Sequence, residues 1–259
     1  NIDVSGGAIY TGHSLVLDSV VIENSAARSG GGIQFSVQYP GQTLTIANSR
    51  FLDNTATELV PATPTPTNSS NGGALNIGER CGNALDVPYT SPVNVTIAGS
   101  EFRGNSSQPT AIGGRGGAIR SYSRADIVIT DTMIVGNHVD APNPPVADRL
   151  YRGGAFEGTA KSLRIERSEI AENSANDVTG SNATRSGGLH IHNTSVDRQA
   201  PGDAMGVRIV NSTISGNWVS ATGGAMVASG NLALRLVNTT VSGNIAPPTR
   251  TGGIIMTTS

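Results

Sequence analysis

The sequence is poor in the residues that most active sites and many folds rely on. It holds one cysteine, Cys81, one tryptophan, Trp218, and only 4% aromatic residues. A single thiol excludes an internal disulfide framework. Cys81 falls in an expected loop from Gly78 to Pro92, where it is either an incidental free thiol or an intermolecular link. The scarcity of aromatic rings weighs against a long sugar-binding cleft floored by stacked side chains. Charged residues make up 14% of the chain, against a usual share of about 25%. The formal net charge is −2 with no basic bias, so nucleic acid is not an expected partner. No apolar run approaches the roughly 18 residues of a membrane-spanning helix, so no transmembrane segment is expected.

Glycine, by contrast, is abundant, with 33 residues in 259 against a usual share of about 7%. It recurs as a short phrase beginning at Gly6, Gly31, Gly72, Gly116, Gly153, Gly187, Gly223 and Gly252. Between these copies runs an eleven-residue phrase, plainest at Val207 to Asn217, that occurs seven times. Its third position reads Val16, Ile46, Ile97, Ile129, Ile165, Ile209 and Leu236. Its sixth is always a hydroxyl: Ser19, Ser49, Ser100, Thr132, Ser168, Ser212 and Thr239. Its eighth is Val21, Phe51, Phe102, Ile134, Ile170, Ile214 and Val241. Its last is Asn24, Asn54, Asn105, Asn137, Asn173, Asn217 and Asn244.

A fixed phrase at irregular intervals is one supersecondary unit with loops of different length inserted at permitted places. Apolar residues at positions one and three alternate as in a strand, and they are mostly β-branched in runs too short for a stable helix. Strands this short bury nothing alone. Stacked about 4.8 Å apart they build a continuous core. The expectation is an all-β, right-handed parallel β-helix (β-solenoid) of about 7–8 coils, forming one domain over 1–259, with insertions at two ports per coil. The closing asparagines are expected to form a structural ladder at a bend where Asn tolerates positive φ. The glycine doublets read as turns, since no helix follows to make a phosphate or dinucleotide site. No cofactor is expected.

Gly116-Gly117-Ala118-Ile119, together with Phe51 to Asn54 and Phe102 to Asn105, resembles the repeats of the polymorphic outer membrane proteins. The Asn-Ser-Thr-Ile-Ser-Gly-Asn phrase is similar to those of bacterial right-handed parallel β-helix surface proteins more broadly. The resemblance covers essentially the whole chain. It implies an exported, surface-exposed and often adhesive protein, and it implies no catalytic residue.

Chemistry-bearing residues are few and scattered. A β-helix that cleaves polysaccharide needs two suitably spaced carboxylates, or acidic Ca²⁺ ligands with a basic proton acceptor. Glu101, Glu166, Glu169 and Glu172 fall near one another in the repeat frame, but no Asp-x-Asp cluster appears. Position two of the long phrase should point outward, and there Arg164, Arg208 and Arg235 would stack on adjacent rungs. They are either solvated, partly paired with Glu166, or a patch for an anion or acidic glycan. His190 and His192 share one face of a strand, which could seed a metal site, but no third ligand stands at a recognisable spacing. No metal site and no catalytic residue is therefore assigned.

The Pro61 to Asn68 stretch cannot enter a ladder and is either an O-glycosylated loop or a stiff exposed one. Sequons occur at Asn68, Asn94, Asn182 and Asn193, and at the ladder residue Asn105. Both ends of the sequence lack a recognisable cap, which leads to an expectation of either a longer chain or head-to-tail self-association into a filament. Two functions from different classes are expected: an extracellular or cell-surface structural or adhesive solenoid, its partners itself or a host or surface glycan, and a polysaccharide lyase or glycoside hydrolase on the same scaffold. Fold alone does not separate them.

Overall fold

A computed structural model of the protein describes residues 5–57, 70–79, 93–108, 113–140, 151–176, 184–193 and 204–257. One coil shows the plan. Strands Phe156–Thr159, Ser162–Glu166, Glu169–Ala171 and Ser174–Asn176 follow each other in the chain, yet none pairs with its sequence neighbour. Each pairs in parallel with its counterpart one coil before and one coil after. Repeated along the chain, this gives four stacked parallel sheets of eight, seven, seven and six strands, called here the first to fourth sheets in chain order within a coil. The chain is a parallel β-solenoid. Among the described residues no helix is long and apolar enough to cross a membrane.

The core follows from like residues stacking on like. In the second sheet Ile46, Ile97, Ile129, Ile165, Ile209 and Leu236 occupy one register. In the third sheet Phe51 and Phe102 stack with ring centroids 4.6 Å apart and planes 5° from parallel. Each fully buried Ile, Leu or Phe contributes about 1.5–3 kcal/mol relative to exposure, and one connected core runs through the first three sheets.

Two polar rows lock the corners between sheets. The hydroxyls of Ser49, Ser100, Thr132, Ser168 and Ser212 each donate to the carbonyl two residues back, at 2.6–2.8 Å. Each of the last four also accepts the backbone N–H of the hydroxyl residue one coil before. The asparagine row is tighter still. The Oδ1 atoms of Asn105, Asn137, Asn173 and Asn217 each accept both the backbone N–H and the Nδ2 of the preceding asparagine, at 2.8–3.0 Å. Asn244 accepts from Asn217 in the same way. The second Nδ2 proton goes to a third-sheet carbonyl, as from Asn137 to Phe102 at 2.9 Å.

The first coil departs from the expected alignment. Leu17, not Val16, registers with Ile46, and Ile22, not Val21, registers with Phe51. Val16 and Val21 are accordingly 68% and 54% exposed. Ser25 N–H donates to Asn54 Oδ1, so Ser25 stands at the ladder position and Asn24 is not a ladder residue. Asn24 instead has φ 51° beside Asp53 at 53°, the position before the ladder. An asparagine is favoured at either place, in one for its left-handed backbone and in the other for its amide, and the repeat shifts between them. The positive φ angles also fall elsewhere than on the ladder asparagines. They lie at position five, as in Asn48, Asp131 and Asn211, and at position ten, as in Asp53 and Glu172.

The glycine phrase has a similar correction. Bridges pair Ser29 with Asn71 and Arg185 with both Arg152 and Thr222. The structural phrase therefore begins one residue earlier than Gly31, Gly187 and Gly252, at Gly30, Ser186 and Thr251. Its first position takes positive φ in every copy but Thr251, 64° at Gly116, and Ser186 adopts 59° there. Its second position admits no side chain, because a Cβ on Gly117 would lie 2.3 Å from the carbonyl oxygen of Gly154 on the next coil.

The described segments are interrupted at two junctions, between the fourth sheet and the next first-sheet strand, and between the first and second sheets. Pro61 to Asn68, Cys81 and Asn182 lie outside the described residues.

Candidate functional site

The outer face of the first sheet carries a shielded polar row in which residue type changes at every coil. Strand alternation sends Ile119, Phe156 and Leu189 into the core and turns their successors outward. Those successors, Gln34, Asn76, Arg120, Glu157, His190 and Val227, stand in one register. Although they point away from the core they are shielded, and Glu157 and His190 are each 1% exposed.

Within this row Asn76 Nδ2 donates to Gln34 Oε1 at 2.7 Å. Arg120 Nε donates to Glu157 Oε2 at 3.3 Å, its guanidinium lying 5.2 Å from the Tyr122 ring centre. The other carboxylate oxygen faces two histidines, with His192 Nε2 at 3.0 Å and His190 Nδ1 at 3.9 Å. An ionised carboxylate only accepts, so Nε2 of His192 carries the proton of that hydrogen bond. The two imidazole rings lie 5.3 Å apart and tilted by 39°. Neither ring nitrogen of His190 has a hydrogen-bond partner.

A second row borders this one. Arg115, Arg152 and Arg185 immediately precede the structural glycine phrase in three successive coils and are bridged to one another. All three are half-buried. None forms an ion pair with a described residue, and the Nε atoms of Arg115 and Arg152 are buried without an acceptor. Arg120 contacts the Glu157 carboxylate, and Arg115 and Arg152 are close enough for their charges to act on it.

The protonation states follow from this crowding. Burial alone would raise the Glu157 carboxyl, but the His192 hydrogen bond and the charges of Arg120, His192 and Arg115 outweigh it and hold the group well below its ordinary value. Burial, reinforced by Arg152, His192 and Arg185 and opposed by Glu157, keeps His190 well below its ordinary value and neutral. Burial, partly offset by Glu157 and reinforced by Arg115 and Arg185, pushes the Arg152 guanidinium down to about 10. A buried cationic surplus of this kind favours an anionic ligand.

The residues singled out in the sequence are distributed differently. Arg164, Arg208 and Arg235 do stack in register on the exposed face of the second sheet. Arg164 is taken up by Glu166 at 2.6 Å, and Arg208 and Arg235 extend into solvent. Glu101 lies on the third sheet, held by Arg103 at 2.6 Å and Arg50 at 2.9 Å. Glu169 shares its row two coils away, and Glu172 sits at an exposed bend. Glu101, Glu169, Arg164 and Arg208 thus lie on two different sheets, with no ion pair between any two of them.

His190 and His192 share the outer face as their spacing requires, and the third potential ligand is Glu157, a coil earlier. Sequence spacing conceals it because residues 177–183 are inserted between the two strands. Arg115, Arg152 and Arg185 are not among the residues singled out in the sequence, although a signal for them is present: Arg precedes Gly-Gly at Arg115 and Arg152 and Ser-Gly-Gly at Arg185. Of the sequons, Asn94 opens an exposed strand position, whereas Asn193 is buried with its Nδ2 bonded to the Asn231 carbonyl. No family model, curated protein or solved structure matches the chain, so its functional reading rests on this geometry.

Proposed function

We propose that the chain is an extracellular, non-enzymatic β-solenoid that binds an acidic glycan along Arg115, Arg152 and Arg185. The observation that carries this reading is the row itself, three half-buried guanidinium groups on successive coils with no carboxylate partner among the described residues. Like charges directly opposite one another on neighbouring strands destabilise a sheet unless an anion intervenes. Coils about 4.8 Å apart present one cation per rung, a pitch suited to a linear polymer with a carboxylate or sulfate on successive sugars. The extended arginines on the second sheet, Arg208 and Arg235, add a second cationic strip. The repeat's resemblance to polymorphic outer membrane proteins supports the extracellular placement.

The test is binding of heparin and polygalacturonate, with dextran as the neutral control, measured across a salt series. Expected is salt-sensitive binding of one or both polyanions that falls at least tenfold when Arg115, Arg152 and Arg185 are all replaced by Gln. Absence of binding at low salt, or equal binding by the triple variant, overturns the reading. A lyase reading draws on one observation, the buried neutral His190 beside the same arginines, which is the arrangement of a proton acceptor near a charge-neutralised uronate. Release of unsaturated oligosaccharide from polygalacturonate would favour it.

A further inference from the structure

We propose that Glu157, His190 and His192 form a binding site for a divalent transition-metal ion, with zinc the best match to the ligand types. Each residue offers one ligand atom, and the three atoms lie within 4.8 Å of one another. Ligands at about 2.0–2.2 Å from zinc require separations somewhat shorter than this. The Glu157 to His192 distance, 3.0 Å, already meets the requirement, whereas the 3.9 Å between Glu157 and His190, and separations of up to 4.8 Å within the set, must shorten when the ion binds. Two imidazoles and one carboxylate are a recurrent three-residue zinc set that leaves a fourth position open. Nitrogen donors of this kind disfavour calcium and magnesium, which take oxygen ligands.

The second, independent observation is His190. Its side chain is 1% exposed, and neither ring nitrogen has a hydrogen-bond partner. Buried polar atoms are nearly always satisfied, and an orphaned imidazole aimed at a carboxylate is explained by a ligand that both can reach. The nearby arginines do not forbid a cation. Arg120 engages Oε2 of Glu157 and leaves Oε1 turned toward both histidines, which is how an outer partner orients a ligating carboxylate. The charges of Arg152 and Arg185, which act on His190, would favour an anion in the open fourth position. His192 stands at the solvent edge of the cluster, with 12% of its side chain exposed, and provides the route of entry.

The test is titration of chelator-stripped protein with zinc chloride by calorimetry, with cobalt(II) absorption as a report of coordination geometry. Expected is one equivalent of zinc, a cobalt spectrum typical of four-coordination, and a zinc-dependent rise in Tm. His190→Ala and His192→Ala should each weaken zinc binding by more than the roughly 10–100-fold that loss of an outer partner costs. His138→Ala, which alters an imidazole 3.3 Å from Asp140 on the fourth sheet, should leave it unchanged. Should the buried His190 variant fold poorly, His192→Ala decides the matter, since it alters the edge of the cluster. No zinc uptake by the wild type, or uptake by His192→Ala with undiminished affinity, overturns the assignment. The outcome is independent of glycan binding, which is measured in chelator without metal.

Discussion

Replacing Asn137 with alanine should be among the most destabilising single changes in the molecule. The side chain is fully buried and takes part in four hydrogen bonds. Its Nδ2 donates to Asn173 Oδ1 and to the Phe102 carbonyl, both at 2.9 Å. Its Oδ1 accepts Asn105 N–H at 3.0 Å and Asn105 Nδ2 at 2.8 Å. Asn137→Ala strands two buried donors and a carbonyl on the preceding coil, while on the following coil Asn173 Oδ1 keeps the backbone N–H of residue 137. A buried group left unsatisfied costs about 1–3 kcal/mol, which places the total near 3–5 kcal/mol after some relief from an entering water. The matched control is Asn238→Gly, which removes an exposed amide bond to Asn211 of 3.1 Å and suits the positive φ of that position. It should cost less than about 1 kcal/mol, because water replaces the lost partner. Urea unfolding followed by circular dichroism and by Trp218 fluorescence measures both, with coincident transitions required before a single free energy is extracted. A cost for Asn137→Ala below about 1 kcal/mol, or one equal to the control, would refute the claim that the amide ladder is a main stabilising element.

Two further outcomes follow from the packing. Gly117→Ala should cost about 3 kcal/mol or more, since its Cβ would meet backbone 2.3 Å away that cannot rotate aside, and the same urea titration reads it. Arg152→Gln should leave stability unchanged or raise it, because it relieves a half-buried charge stacked between Arg115 and Arg185, while polyanion binding falls; a clear loss of stability would mean that the row is structural.

What could be read from the sequence depended on whether a row repeats. The isoleucine, hydroxyl and asparagine rows recur at fixed positions in a fixed phrase, so periodicity alone revealed strands, core and parallel stacking. Where two residue types suit two adjacent sites, the reading slipped by one. Asn24 satisfies the backbone demand of position ten as well as it would the amide demand of position eleven, and only register separates them. Ser186 occupies a place where glycine is usual, at φ 59°, and so displaced the apparent start of its phrase. Glu157 escaped notice for another reason. Its neighbours His190 and His192 are 33 and 35 residues distant in sequence, a separation that varies from coil to coil and follows no local rule.

The same contrast bears on function. In a solenoid the cheapest solution for any row is to repeat one residue that satisfies its own copy above and below, as isoleucine does by packing and asparagine by its amide. The isoleucine, hydroxyl and asparagine rows take that solution. The outer row of the first sheet does not: it runs from Gln34 through Asn76, Arg120, Glu157 and His190 to Val227, with a different side chain on every coil. Its polar members are buried or, at Arg120, nearly so, and must find specific partners instead of water, yet two of them, Asn76 and His190, retain atoms with none. Stability alone would favour an aliphatic or amide ladder in a shielded row, because a partly satisfied polar network is inferior to an apolar one. A shielded row that breaks the local rule and sets one arginine and two histidines around a carboxylate is where the proposed ligand would account for what packing does not.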